Sequence, residues 1–198
     1  MDKKPNDPRV VANFILRTRR HLGLDTTNLE MQKILFFCHS NYLLAFNRRL
    51  VAGHFEAWQY GPVHPIIYRS FKSFEGSPIQ HEAEGVDPFT KKPIALGSIS
   101  NLDQRQTVMA TVANLSKLTA GQLVDLSHRK EGAWSKTVND AKNGGSLGMR
   151  ITDDTIINCA RRTKVVPYDS QGASNGDSFA EKEVRHYVET PIAGYGPG

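Results

Sequence analysis

The sequence lacks most of the markers that announce chemistry. Its 198 residues include only two cysteines, Cys38 and Cys159, and no Cys-x-x-Cys. Both fall in helix-like stretches, which predicts buried, reduced thiols and a reducing compartment such as a bacterial or phage cytoplasm. Seven histidines are present without a His-Glu-x-x-His spacing. Cys38 and His39 are adjacent, so on a helix they point about 100° apart and do not share an ion easily. No metal is expected, and the absence of a Gly-x-x-x-x-Gly-Lys loop removes the usual phosphate cradle and with it any expected cofactor. No apolar run approaches the roughly 20 residues of a membrane span. Lys3 and Lys4 are not followed by an apolar h-region, so no signal peptide is expected.

What is present is a soluble composition, 39% hydrophobic and 23% charged, long enough for one domain with its own core. The charge is uneven. Residues 1–165 carry 23 Lys and Arg against 15 Asp and Glu, whereas residues 166–198 carry 2 against 5. A basic body attracts an acidic partner or nucleic acid, or is a solvated surface, the commoner case. Arg17, Arg19, Arg20 and His21, joined by Arg48 and Arg49, form the densest basic run. It has no interleaved aromatic to stack on bases, so a solvated helix face is expected and nucleic acid is not.

The chain punctuates itself clearly. Asp7-Pro8 starts a helix, because Asp accepts orphan N–H bonds and Pro loses nothing at the first helical position. Val10, Val11, Phe14, Ile15 and Leu22 follow near helical spacing, closed by Gly23. Thr27-Asn28-Leu29-Glu30 is a capping box for a long helix through Met31, Ile34, Leu35, Cys38, Tyr42 and Ala45. Arg48 to Gln59 reads as a turn and a short extended piece. Gly61-Pro62-Val63-His64-Pro65 breaks any helix, and Pro65 starts the next, with Ile67, Tyr68, Phe71 and Phe74 on its apolar side. Residues 75–99 read as a long, functional loop with short strands. Ser100 is expected to cap a fourth helix through Leu102, Met109, Val112 and Leu115. Thr119 opens a second capping box for a short helix ending near His128, Ala133 to Lys142 is helical, and Thr152 caps a last helix through Ile156, Ile157 and Ala160. The fold expected is mainly α: a single compact multi-helix domain over 1–165, followed by a flexible, polar, acidic tail over 166–198. In that tail Phe179, Val184, Tyr187 and Val188 are the residues expected to dock on a partner.

Two places bear on function. Asp125 and His128 lie three apart on one helix face, but no nucleophile is marked beside them, and helix-end capping by His128 is the expected role. No catalytic residue is expected. Phe55 to Val63 places Trp58 and Tyr60 just before a rigid turn, and both residue types are enriched at binding hot spots. Trp58 is expected to plug the core beneath the turn, while Tyr60 suits contact as well as support. Trp134 poses the same choice.

Several blocks together resemble a known family. They are Val11-Ala12-Asn13-Phe14-Ile15-Leu16, Leu29 to His39 with its Gln32-Lys33-Ile34-Leu35 core, Glu56-Ala57-Trp58-Gln59-Tyr60-Gly61-Pro62-Val63, Tyr68, Leu123 to His128, and Trp134. Their order resembles the Panacea domain, the SocA-like antitoxin family, from about Pro8 to Lys164. One departure is Gly132-Ala133-Trp134, where the family more often has Pro before the Trp. The resemblance implies a mainly helical domain with a small β element. It implies neutralisation of a cognate protein toxin, usually encoded by the adjacent gene, by direct binding, alone or as a homo- or hetero-oligomer, and no enzymatic activity. Gln32, Lys33, Gly61, His128 and Trp134 are then motif residues with structural roles. Candidate toxin contacts are Trp58, Tyr60, Pro62, Val63 and Tyr68, with Phe179 and Tyr187 of the tail. Three alternatives stand beside this reading. One is a nucleic-acid-binding regulator, if the basic cluster is contiguous. Another is an adaptor presenting a partner to cellular machinery. The third is a hydrolase or transferase, if Asp125, His128 and a Ser or Cys converge.

Overall fold

The caps fall largely where the sequence puts them. In a computed structural model that describes residues 4–142 and 149–162, α1 (Pro8–His21) begins at Asp7, whose side chain accepts from the Arg9 N–H. Helix α2 (Asn28–Phe46) begins at the Thr27 capping box: Thr27 Oγ1 accepts from the Glu30 N–H, and the Thr27 N–H donates back to Glu30 Oε2. It ends at Asn47, in the left-handed conformation that closes many helices. Strands β1 (Phe55–Trp58) and β2 (Gly61–Val63) form a tight hairpin, and α3 (Pro65–Phe71) follows. A short two-stranded ribbon, β3 (Gly85–Val86) and β4 (Pro93–Ile94), occupies the long loop. Helices α4 (Leu102–Leu115), α5 (Ala120–Ser127) and α6 (Ala133–Lys142) come next. Strand β5 (Arg150–Ile151) and α7 (Asp153–Arg162) complete the described chain, with Thr152 Oγ1 accepting from the Thr155 N–H. The tail, with Phe179 and Tyr187, lies outside the described residues.

Helix α2 is the hub. It packs against α1, α3, α4, α5, α7 and β2. A helix surrounded on most sides must be buried around most of its circumference, and Met31 to Phe36 are six consecutive buried residues. Gln32, Lys33 and His39 are therefore inside despite their polarity. The three-stranded antiparallel sheet, in the order β2-β1-β5, covers one flank of this hub. Its register pairs Trp58 with Gly61 and Phe55 with Ile151. Pro62 sits in an edge strand, where a missing N–H costs no ladder bond. Both cysteines are buried.

Three expectations change. Asn101, not Ser100, caps α4 by accepting from the Gln104 N–H. Leu102 and Met109 point outward, because the face of α4 turned to the core uses Gln104, Val108, Thr111, Val112 and Leu115. Its polar members are satisfied across the interface: Asn6 Nδ2 donates to Gln104 Oε1 and Asn41 Nδ2 to Thr111 Oγ1. The basic run is a solvated face only in part: Arg17, Arg20, His21 and Arg48 are exposed, whereas Arg19 turns inward. Arg19 is buried and donates to the Asp25 carbonyl and to Thr26, beside Glu30. Arg9, Asn13, Arg17 and Arg20 form a ladder at helical spacing that grips residues 79–84. Arg9 donates to the Glu84 carbonyl and Arg17 pairs with Glu82. Arg20 reaches the Ile79 and Gln80 carbonyls. Asn13 holds the Ala83 peptide at both ends, at 2.8 Å each.

Candidate functional site

Strand parity decides what Trp58 does. Successive side chains of a strand face opposite sides, and in β1 Phe55 and Ala57 turn inward while Glu56 and Trp58 turn out. Phe55 fills the core, edge-on to Phe36 at 5.3 Å and to His64 at 5.2 Å. Trp58 is thus no core plug; it is 36% exposed, as are Tyr60 at 62% and Tyr68 at 38%. The Trp58 and Tyr68 rings meet edge-on with centroids 4.8 Å apart. Trp58 Nε1 donates to Glu56 Oε2 at 2.8 Å, and His54 lies 3.1 Å from the other oxygen. The Trp58 hydrogen bond, more than the others, holds the Glu56 carboxyl below its ordinary range. Pro62 and Val63, also candidate contacts, are buried in β2. Trp58, Tyr60 and Tyr68 therefore form the exposed aromatic set.

Beneath this turn lie the five motif residues. Lys33 on α2 is fully buried and donates to the Pro62 carbonyl at 3.0 Å. Burial pushes its ammonium down to about 7, because charge is disfavoured away from water. Gly61 has φ +100°, and a Cβ there would lie 2.5 Å from Ser127 Oγ and 2.9 Å from Lys33 Cε. Only glycine combines that backbone with that space. His128 ends α5 through its backbone N–H, which donates to the Val124 and Asp125 carbonyls. Its ring stacks on Trp134 at 3.7 Å. Burial first, then the neighbouring Lys33, pushes His128 down to about 4, so the ring is neutral at pH 7 and caps no dipole by charge. Trp134 Nε1 donates to the Trp58 carbonyl at 2.8 Å, tying α6 to the end of β1. Gln32 accepts from the His64 N–H and donates to Asn28, which in turn donates to the Tyr68 carbonyl. The cluster thus fixes the backbone on both sides of the aromatic turn.

Sequence reading singles out these five residues but not their supports, Asn28, His64 and Ser127; the signal was available only for Ser127, inside the Leu123–His128 block. Asp125 meets His128 only through its backbone carbonyl; its side chain is exposed, and among the described residues no hydrogen bond joins it to the His128 ring. The sequence also carries one Gly-x-Ser-x-Gly spacing, Gly144 to Gly148, outside the described residues. It lies after a helix and before a strand, the reverse of the strand-to-helix order of a nucleophile elbow. Among the described residues no three His, Cys, Asp or Glu side chains gather as a metal site. No helix among them is long and apolar enough to cross a membrane.

No solved structure matches the chain. Antitoxin SocA from Caulobacter vibrioides (strain NA1000 / CB15N) is 34% identical over 164 residues, covering 83% of this chain and 87% of that protein. Residues 31–135, from α2 to the start of α6, match the family described as Antitoxin SocA-like, Panacea domain. That span includes the aromatic turn and all five motif residues beneath it, Gln32, Lys33, Gly61, His128 and Trp134. The chain belongs to the SocA-like antitoxin family and carries its Panacea domain.

Proposed function

We propose that this protein is an antitoxin that neutralises a cognate protein toxin by direct contact, through the aromatic turn of Trp58, Tyr60 and Tyr68. The observation that carries this reading is the exposure of two tyrosines and a tryptophan on a backbone fixed from below by Lys33, Gly61, His128 and Trp134. Aromatic anchors held rigid in advance lose little entropy on binding, and such residues dominate interface energetics. Membership in an antitoxin family supports a protein toxin as the partner, and the neighbouring gene is the source proposed for it. The setting is the cytoplasm, a reading supported by two buried cysteines in a chain with no cysteine-rich framework.

The nucleic-acid reading loses its main support. It required a contiguous, available basic cluster, yet Arg19 is buried and Arg9, Arg17 and Arg20 are engaged with residues 79–84. Co-expression tests the proposal. The product of the neighbouring reading frame should arrest growth alone, grow normally with this protein, and co-purify with it as a stable complex. Relief of arrest without any complex, or with the toxin's synthesis merely reduced, would reject direct neutralisation.

A further inference from the structure

The β3–β4 ribbon shows a second surface that the aromatic turn does not use. Phe89 at its tip is 91% exposed, Val86 61% and Ile94 44%. The backbone that carries them is held in place. Asp87 Oδ1 accepts from the N–H groups of Phe89 and Thr90 at 2.9 and 2.6 Å. The Asp87 carbonyl accepts from Lys91, and its N–H donates to the Lys92 carbonyl, both at 2.9 Å. Lys91 takes the left-handed turn at φ +59°. The base of the ribbon is strapped to α1 by the Asn13–Ala83 pair and by Arg9 on the Glu84 carbonyl. A phenylalanine adds nothing to this turn that a small polar residue would not supply, since Asp87 closes it. Its apolar area is presented to water on a preformed backbone, as binding anchors are.

We propose that Phe89 is a second anchor for the toxin, entering an apolar pocket whose rim carries carboxylates that pair with Lys91 and Lys92. The inference rests on the antitoxin reading above and adds the chemistry of the partner. Charge decides the occupant. Two adjacent exposed lysines follow the phenylalanine, on a body with 23 basic against 15 acidic residues over 1–165. That excess opposes docking of a second copy and favours an acidic partner. A lipid surface is the weaker fit, because one phenylalanine and two lysines fall short of the two strong signals that stable membrane anchoring needs.

The test uses the full chain and the purified product of the neighbouring toxin reading frame. Affinity is measured by calorimetry for wild type, Phe89→Ala, and the double variant Lys91→Glu/Lys92→Glu, with melting temperatures alongside. Phe89→Ala should melt as wild type and bind about 30-fold more weakly, the size of a hot-spot truncation. The charge reversal should weaken binding and reverse the salt dependence of its affinity, and an affinity equal to wild type at low salt would refute the acidic rim. If wild type binds the toxin and Phe89→Ala binds within twofold of it, the second anchor alone is wrong. If wild type does not bind, the antitoxin reading fails and the anchor falls with it. Phe89-dependent sedimentation with vesicles containing phosphatidylserine, or Phe89-dependent dimerisation in the ultracentrifuge, would overturn the assignment in favour of a lipid or a second copy.

Discussion

Replacing Lys33 by methionine should make the protein more stable near neutrality and less stable at high pH. The side chain is fully buried and, among the described residues, donates to the Pro62 carbonyl. Burial takes its ammonium from an ordinary 10.5 to about 7. Each pH unit between those values is worth about 1.4 kcal/mol, so holding the charge inside costs about 4–5 kcal/mol. In the unfolded chain Lys33 stays protonated up to about pH 10.5; in the folded chain it loses its proton near 7. Stability from this group is therefore full above 10.5, falls as pH drops toward 7, and is lost below it. Lys33→Met removes that slope and leaves the Pro62 carbonyl unpaired, at a cost of about 1–3 kcal/mol. The variant should then be about 2–3 kcal/mol more stable at pH 6 and cross below wild type near pH 9. Urea midpoints of both proteins at each pH give the difference, in which other titrating groups cancel. A difference that does not change with pH, or a variant less stable at pH 6, would refute the reasoning. The stabler variant should also bind toxin less tightly, because the turn has lost its clamp.

Gly61→Ala should cost about 2–4 kcal/mol by denaturant titration, from a strained φ of +100° and a Cβ 2.5 Å from Ser127 Oγ. Asn13→Ala leaves the buried Ala83 peptide unpaired at both ends and should cost about 1–3 kcal/mol, while Arg17→Ala, in an exposed pair, should stay within about 1 kcal/mol. Trp58→Ala should lower the melting temperature only modestly, about 1–2 kcal/mol against the 3–5 of a core aromatic, and impair growth rescue by more than its stability loss explains.

Local signals were legible in the sequence and tertiary choices were not. The caps at Asp7, Thr27 and Thr119 could be read because a capping residue's chemistry acts within three residues. The hub role of α2 could not, since Gln32, Lys33 and His39 look like a solvated side until six elements close around them. The core face of α4 was misread for a related reason: Gln104 and Thr111 are buried only because Asn6 and Asn41 reach them from distant positions. Trp58 turned on parity. Either Phe55 and Ala57 or Glu56 and Trp58 had to face inward, and the larger ring suggested the wrong set. The five motif residues could be listed from the sequence, but their convergence could not, because it depends on the β1–β2 register and on α5 and α6 meeting beneath it. Phe89 drew no attention because exposure is invisible in a loop without periodicity.

The central claim is that the aromatic turn grips the toxin directly. Calorimetric titration of the purified toxin with full-length wild type and with Tyr60→Ala tests it at the most exposed aromatic of the turn, 62% exposed. Wild type should bind tightly, and Tyr60→Ala should lose at least about 30-fold in affinity with an unchanged melting temperature. Equal affinity for the two proteins, both folded, would contradict it.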